Sequence, residues 1–156
     1  MSGKRGRLNM SLQVITDNFS RSRLEVIVPA EICCQGQSDE YRVAYFDTGS
    51  QVTCIKKSVI DNYGWKTVPA GYDIDTVGGK VPAELIIGTI SLGFGKVVLE
   101  NIPITVVETT TFDRDIIIGQ DILMYGDFHT TYHADKDYVE MTFQIETDLI
   151  PKAQCD

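Results

Sequence analysis

A chain of 156 residues, 43% hydrophobic and 23% charged, has room for one domain with a real core, and this composition excludes overall disorder. The net charge of −8 is uneven: residues 1–23 carry +4 and the other 133 carry −12, so a polyanion is repelled by most of the molecule and nucleic acid is not the expected partner. No run approaches the roughly 18 apolar residues of a membrane span, and no apolar stretch follows Lys4, Arg5 and Arg7 as a secretory leader requires, so the expectation is a cytoplasmic protein without a membrane partner.

In chain order, residues 1–21 read as a basic N-terminal arm or tail, with a short strand at 11–16, and 149–156 as a C-terminal tail. The folded domain is expected over 22–148. Within it, short runs of Val, Ile, Leu, Thr, Tyr and Phe are separated by Gly, Pro, Asn and Asp, which predicts strands at 23–33, 41–46, 51–55, 70–77, 80–93, 96–108, 115–118, 128–133 and 137–145. Two segments read as short helices: KKSVIDNYG at 56–64, ending on Gly64, and GQDILMYG at 119–126, with Ile122, Leu123 and Met124 as its apolar face. Strands and helices do not alternate, so a closed or sandwiched all-β structure is expected rather than a doubly wound sheet. Cys33, Cys34, Cys54 and Cys155 have neither zinc-knuckle nor redox CxxC spacing and read as free thiols, the alternative being a Cys33–Cys155 bridge.

The stretch YFDTGSQ at 45–51 concentrates the chemistry. Asp47 follows the apolar run VAYF and is held at the end of a strand, while Thr48 and Gly49 make a turn that lets backbone approach the carboxylate. On local sequence alone, Asp47 is either the head of an Asx-turn or half of a carboxylate pair. Further along lie a glycine hairpin, DTVGGKV at 75–81, and an apolar strand, DIIIG at 115–119, that runs into the second short helix.

DTGSQVT, TVGGKV and IIIGQDIL, in this order and spacing, resemble the retropepsin-like aspartic proteases, the single-domain relatives of pepsin; the resemblance spans roughly residues 22–145. The TVGG tip and the GQD helix start differ from retroviral patterns and point toward a bacterial or cellular member. The resemblance implies a closed β-barrel with one or two short helices, forming one lobe of a two-fold symmetric, pepsin-like dimer. Pepsin-like enzymes carry two DTG-type loops in a chain about twice this length, whereas this chain has one. The family therefore implies a homodimeric endopeptidase in which Asp47 of each subunit forms the catalytic dyad, a peptide or protein is the substrate, and neither metal nor cofactor takes part.

By the same resemblance, Thr48 braces the paired loops across the two-fold axis, and Gly49 turns a backbone amide toward the carboxylates. Ser50 is expected to aim a hydroxyl at a carboxylate, lowering the dyad's pKa values. The hairpin around Gly78 and Gly79 becomes a flap with Ile74, Val77 and Val81 facing the cleft, its two glycines suiting a tight hairpin turn. Ile117, Ile118 and Gly119 pack behind the catalytic loop as structural residues. Retroviral members place an arginine after that glycine; here Gln120 stands there, followed by Asp121, so the ion-pair network near the dimer contact must differ or be absent.

Other motifs fail on physical grounds. His129 and His133 lie four apart in a strand-forming sequence, about 13 Å from one another, too far to share a metal. GFGKVV at 93–98 lacks the third glycine and the helix of a phosphate loop, and reads as a hairpin turn. Cys54 reads as a small apolar residue beside the loop rather than a nucleophile, and Trp65 as core or interface. Two rivals to the protease stand: a retropepsin-like module that binds peptides without turnover, and a small β-barrel with an accidental DTG.

Overall fold

The computed structural model describes residues 12–20, 25–76, 78–110 and 113–152. Its strands are β1 (Leu12–Ser20), β2 (Ile27–Cys34), β3 (Gln37–Phe46), β4 (Cys54–Lys56), β5 (Val68–Thr76), β6 (Gly79–Leu92), β7 (Val97–Val107), β8 (Ile116–Ile118), β9 (Gly126–Tyr132) and β10 (Tyr138–Glu146). Helix α1 (Lys57–Tyr63) follows β4, α2 (Gln120–Leu123) follows β8, and a 3-10 turn at Thr147–Leu149 follows β10.

Seven strands pair in the order β2-β3-β8-β4-β7-β6-β5, and β2 also pairs with β6 through Ala30–Leu92 to Cys33–Thr89. That extra pairing closes the first six strands into a barrel. β5 is left as a branch held by β6 alone, which sets up a projecting hairpin: β5 and β6 pair from Asp73–Pro82 to Thr76–Gly79, whereas β7 joins β6 only from Glu84 onward. The hairpin end therefore extends past the barrel wall.

β8 lies at the centre, parallel to β3 and antiparallel to β4, and all three of its isoleucines are buried. A strand covered on both faces reads as an uninterrupted apolar run, and III is such a run. The second sheet, β1-β10-β9, packs its inner face into the same core, where Ile15, Met141, Phe143 and Ile145 join the barrel isoleucines. Phe46, the last residue of β3, stacks on Phe128 at 5.4 Å and tilts against Phe143 at 5.2 Å, so aromatic packing locks the barrel to the second sheet directly before Asp47.

Several local expectations are corrected. The strand expected at 11–16 runs to Ser20 and pairs residue by residue with β10, so residues 12–20 are built into a sheet instead of trailing as part of a tail. β3 begins at Gln37, not residue 41, because Gln35 and Gly36 take positive φ values of 49° and 79° and form a two-residue hairpin between β2 and β3. The polar run QSDE hid this strand, and its Asp39 is buried through an ion pair with Arg42 at 2.6 Å. β4 starts only at Cys54, because residues 51–53 still belong to the loop that follows Asp47.

Gly64 caps α1 at φ 62°, and Trp65 beyond it is buried, stacked on Tyr63 at 4.8 Å and donating through Nε1 to Gln37 at 3.0 Å. The second helix is a single turn rather than eight residues, because the chain must enter β9 at Gly126, where a Cβ would lie 2.4 Å from the Gln144 carbonyl oxygen. Met124, expected on its apolar face, is exposed, while Ile122 and Leu123 are buried.

Candidate active site

The site is assembled where β3 ends and β8 runs into α2. Asp47 leaves β3 with its amide donating to the Ile118 carbonyl at 3.0 Å, which fixes the base of the loop against the central strand. The chain then turns back: the Gly49 amide donates to Asp47 Oδ1 at 2.9 Å and the Ser50 amide to the Asp47 carbonyl at 3.2 Å. The Asx-turn and the presented carboxylate are thus one arrangement. A Cβ on Gly49 would come to 3.2 Å from Asp47 Oδ1, so this position suits a residue without a side chain.

Thr48 is exposed at the loop tip and Asp47 is half-buried. Ser50 does not behave as expected. Its hydroxyl donates to the Val52 carbonyl at 2.8 Å, so its single proton holds the loop's own backbone instead of pointing at a carboxylate.

From the other side, the Gln120 amide donates to the Ser50 carbonyl at 2.8 Å and the Asp121 amide to the Gln51 carbonyl at 3.2 Å. Gln120 Nε2 also donates to the Thr48 carbonyl at 2.5 Å. The residue standing where retroviral members have arginine therefore grips the loop tip within its own chain. Asp121 accepts from Thr53 three times: from the amide at 2.9 and 3.0 Å, one distance to each carboxylate oxygen, and from Oγ1 at 2.7 Å. Thr53 Oγ1 in turn accepts from the Gly119 amide at 3.1 Å.

Ile117, Ile118 and Gly119 stand directly behind the loop: Ile117 pairs with Tyr45 and with Cys54, and Ile118 with Phe46. The entry to β8 is fixed by ion pairs from its neighbours, Arg42 of β3 with Asp115 at 3.5 Å and Lys56 of β4 with Asp113 at 2.6 Å; Arg114 pairs with Glu25.

Local electrostatics follow from this packing. Burial, together with the negative charges of Asp121 and Asp47, pushes the Cys54 thiol from 9.0 up to about 12, so it is a neutral side chain at ordinary pH and not a nucleophile. Burial first, then the Asp47 and Glu25 charges, also raise the Tyr45 hydroxyl.

In the hairpin, Ile74 pairs with Val81, and Ile74 is half-buried while Val81 is exposed. Val77 lies outside the described residues. Gly78 and Gly79 are not the two central residues of the turn, because Thr76 already pairs with Gly79, which takes φ 109° as the first residue of β6. Thr76 Oγ1 closes the turn on the Gly79 carbonyl at 2.6 Å.

Thr53 and Asp121 went unread as site residues. Their one signal is Thr53 itself: fully buried between Val52 and Cys54, a hydroxyl there needs a partner, which sequence cannot name.

A family model described as "gag-polyprotein putative aspartyl protease" matches residues 37–125. Among solved structures the chain is similar to a retropepsin-like aspartic protease from Rickettsia conorii, at 16% identity and a TM-score of 0.54 over 86% of this chain and 95% of that one. It is also similar to the EIAV protease in an inhibitor complex (19% identity, TM-score 0.43, 67% of this chain and 88% of that one). The simian foamy virus protease is a further match (17% identity, TM-score 0.42, 64% and 93%). No curated protein matches significantly. The Rickettsia likeness shows an all-β, retropepsin-like fold, in agreement with the strand order above.

Proposed function

This chain belongs to the gag-polyprotein aspartyl protease family, and on that premise we propose that it is a homodimeric aspartic endopeptidase whose catalytic pair is Asp47 from each of two subunits. The observation that carries the reading is the Asp47 loop: a half-buried carboxylate at the end of a barrel strand, oriented by the Gly49 amide at 2.9 Å and present once per chain. The sequence holds one DTG triplet, and two-fold symmetry is the way one chain supplies two such carboxylates.

Two carboxylates brought within a few ångströms do not both ionise cheaply, so the pair shares one proton, as is general among aspartic proteases. The ionised Asp47 takes a proton from a water molecule, and the protonated one donates to the scissile carbonyl oxygen; water adds to the carbonyl carbon and a tetrahedral diol forms. Return of a proton to the amide nitrogen breaks the C–N bond. The Gly49 amide orients the carboxylate it touches, and the projecting β5–β6 hairpin acts as the flap, covering an extended peptide and excluding water.

The test is cleavage of a mixed peptide library between pH 4 and 7 by the protein and by Asp47→Asn, beside sedimentation at low micromolar concentration. The expected result is cleavage that Asp47→Asn abolishes, by a dimer. Peptide binding without cleavage would replace this reading with that of a binding module, and a persistent monomer would remove the dyad.

A further inference from the structure

Besides Asp39, the buried polar residues among those described are Thr53, the loop residue directly before β4, and Thr105, which lies in β7 among buried valine, leucine and isoleucine. Valine has the same shape, so a hydroxyl at these positions needs partners to offset its desolvation. Both have them, and the partners connect. Tyr72, in β5, bonds through its hydroxyl to Thr105 Oγ1 in β7. The Thr105 amide donates to the Thr53 carbonyl at 3.0 Å, and Thr53 is bound to Asp121 by its amide and hydroxyl. The Gly119 amide donates to Thr53 Oγ1 behind the Asp47 loop.

We propose that Tyr72, Thr105, Thr53 and Asp121 form one hydrogen-bonded chain that holds the projecting β5–β6 hairpin and the Asp47 loop in a fixed relation, with Tyr72 and Asp121 as positioning residues at its two ends. The route is built into the backbone. β5 reaches the barrel only through β6, so without a side-chain tie its hairpin could swing independently of β4. A bulge between Pro69 and Asp73, with Gly71 at φ 85°, interrupts the β5–β6 register beside Tyr72, and the tyrosine spans past β6 to β7. Thr105 is the residue of β7 that pairs with Cys54, the first residue of β4 after the loop, so the tie arrives where the loop rejoins the barrel.

Because the chain is continuous, breaking either end releases the same constraint. The positioning role for catalysis rests on the protease reading; the mechanical tie does not. Two measurements separate them. In a double-mutant cycle on peptide cleavage, Tyr72→Phe removes only a hydroxyl and Asp121→Asn keeps the side chain's shape; each is expected to lower kcat/KM about fivefold, with the double variant well short of the product. Independently of activity, amide hydrogen exchange at Asp47 and Ser50, which neither altered side chain touches, is expected to speed up severalfold in Tyr72→Phe. A multiplicative cycle, or unchanged exchange at both amides, overturns the tie. Failure of the wild-type protein to cleave would overturn the protease reading instead, with exchange alone then deciding the tie.

Discussion

Gly119 packs so tightly on the loop after Asp47 that a Cβ at this position would lie 2.5 Å from the Val52 carbonyl oxygen and 2.9 Å from that of Ser50. Both contacts are backbone, which cannot rotate away. Its φ is an ordinary −98°, so the requirement for glycine is close approach and not backbone strain. Gly119→Ala is therefore expected to cost about 2–4 kcal/mol, and urea unfolding should show the midpoint shift. A change under about 0.5 kcal/mol would mean that β8 and the loop can part without penalty.

Gln120 allows loop order to be separated from stability. Its side chain is exposed, and the bond it makes to the Thr48 carbonyl is at the loop tip. Gln120→Ala should change stability by less than about 0.5 kcal/mol but reduce kcat/KM roughly tenfold through a looser carboxylate. Gln120→Glu, which sets a carboxylate against a carbonyl, should lose more than alanine does; equal activity in all three proteins would show that the tip needs no grip from within the chain.

Ser50 yields a prediction opposite to the one its position in the motif suggests. With its proton committed to Val52, the Ser50 hydroxyl is not a donor to the proposed carboxylate pair. Ser50→Ala should leave the pH of maximal cleavage in place and cost about 0.5–1.5 kcal/mol of stability. A shift of the optimum to higher pH would show that the hydroxyl turns toward the carboxylates in the working enzyme.

Cys54 sets an alkaline limit. Its thiol titrates near 9.0 when unfolded and near 12 when folded, so the unfolded chain loses that proton first as pH rises. The stability this group contributes is complete below pH 9 and declines as pH rises from 9 toward 12. Thermal melts over that range should fall less steeply for Cys54→Val than for the wild type, and parallel curves would show that the thiolate is tolerated where it sits.

Phe46 should be the most sensitive aromatic residue, since it contacts Phe128 and Phe143 and is joined to Asp47 by one peptide bond. Phe46→Ala is expected to cost about 3–5 kcal/mol by calorimetry. Phe46→Leu should lose less stability but still impair cleavage, because the last residue of β3 sets where the loop begins.

Much of this molecule was legible in order along the chain. Short runs of β-branched and aromatic residues between turn residues marked nearly every strand, III an apolar strand, Gly64 a helix end, and DTGS a turn with a fixed carboxylate; each signal lies within a few neighbouring residues, where propensity and turn chemistry act. The single DTG also raised the question of a second subunit without any coordinates. Partners across the sheet were beyond that reach. Thr53 and Asp121 are 68 positions apart and Tyr72 and Thr105 are 33 apart, and no local rule says that one hydroxyl will meet that carboxylate or that phenol. Sheet register decides it, because a slip of one residue would turn Thr53 or Thr105 to the other face. The same holds for Ser50, whose hydroxyl was expected to meet a carboxylate. Only the folded loop, pressed against Gly119, brings the Val52 carbonyl close enough to take the proton.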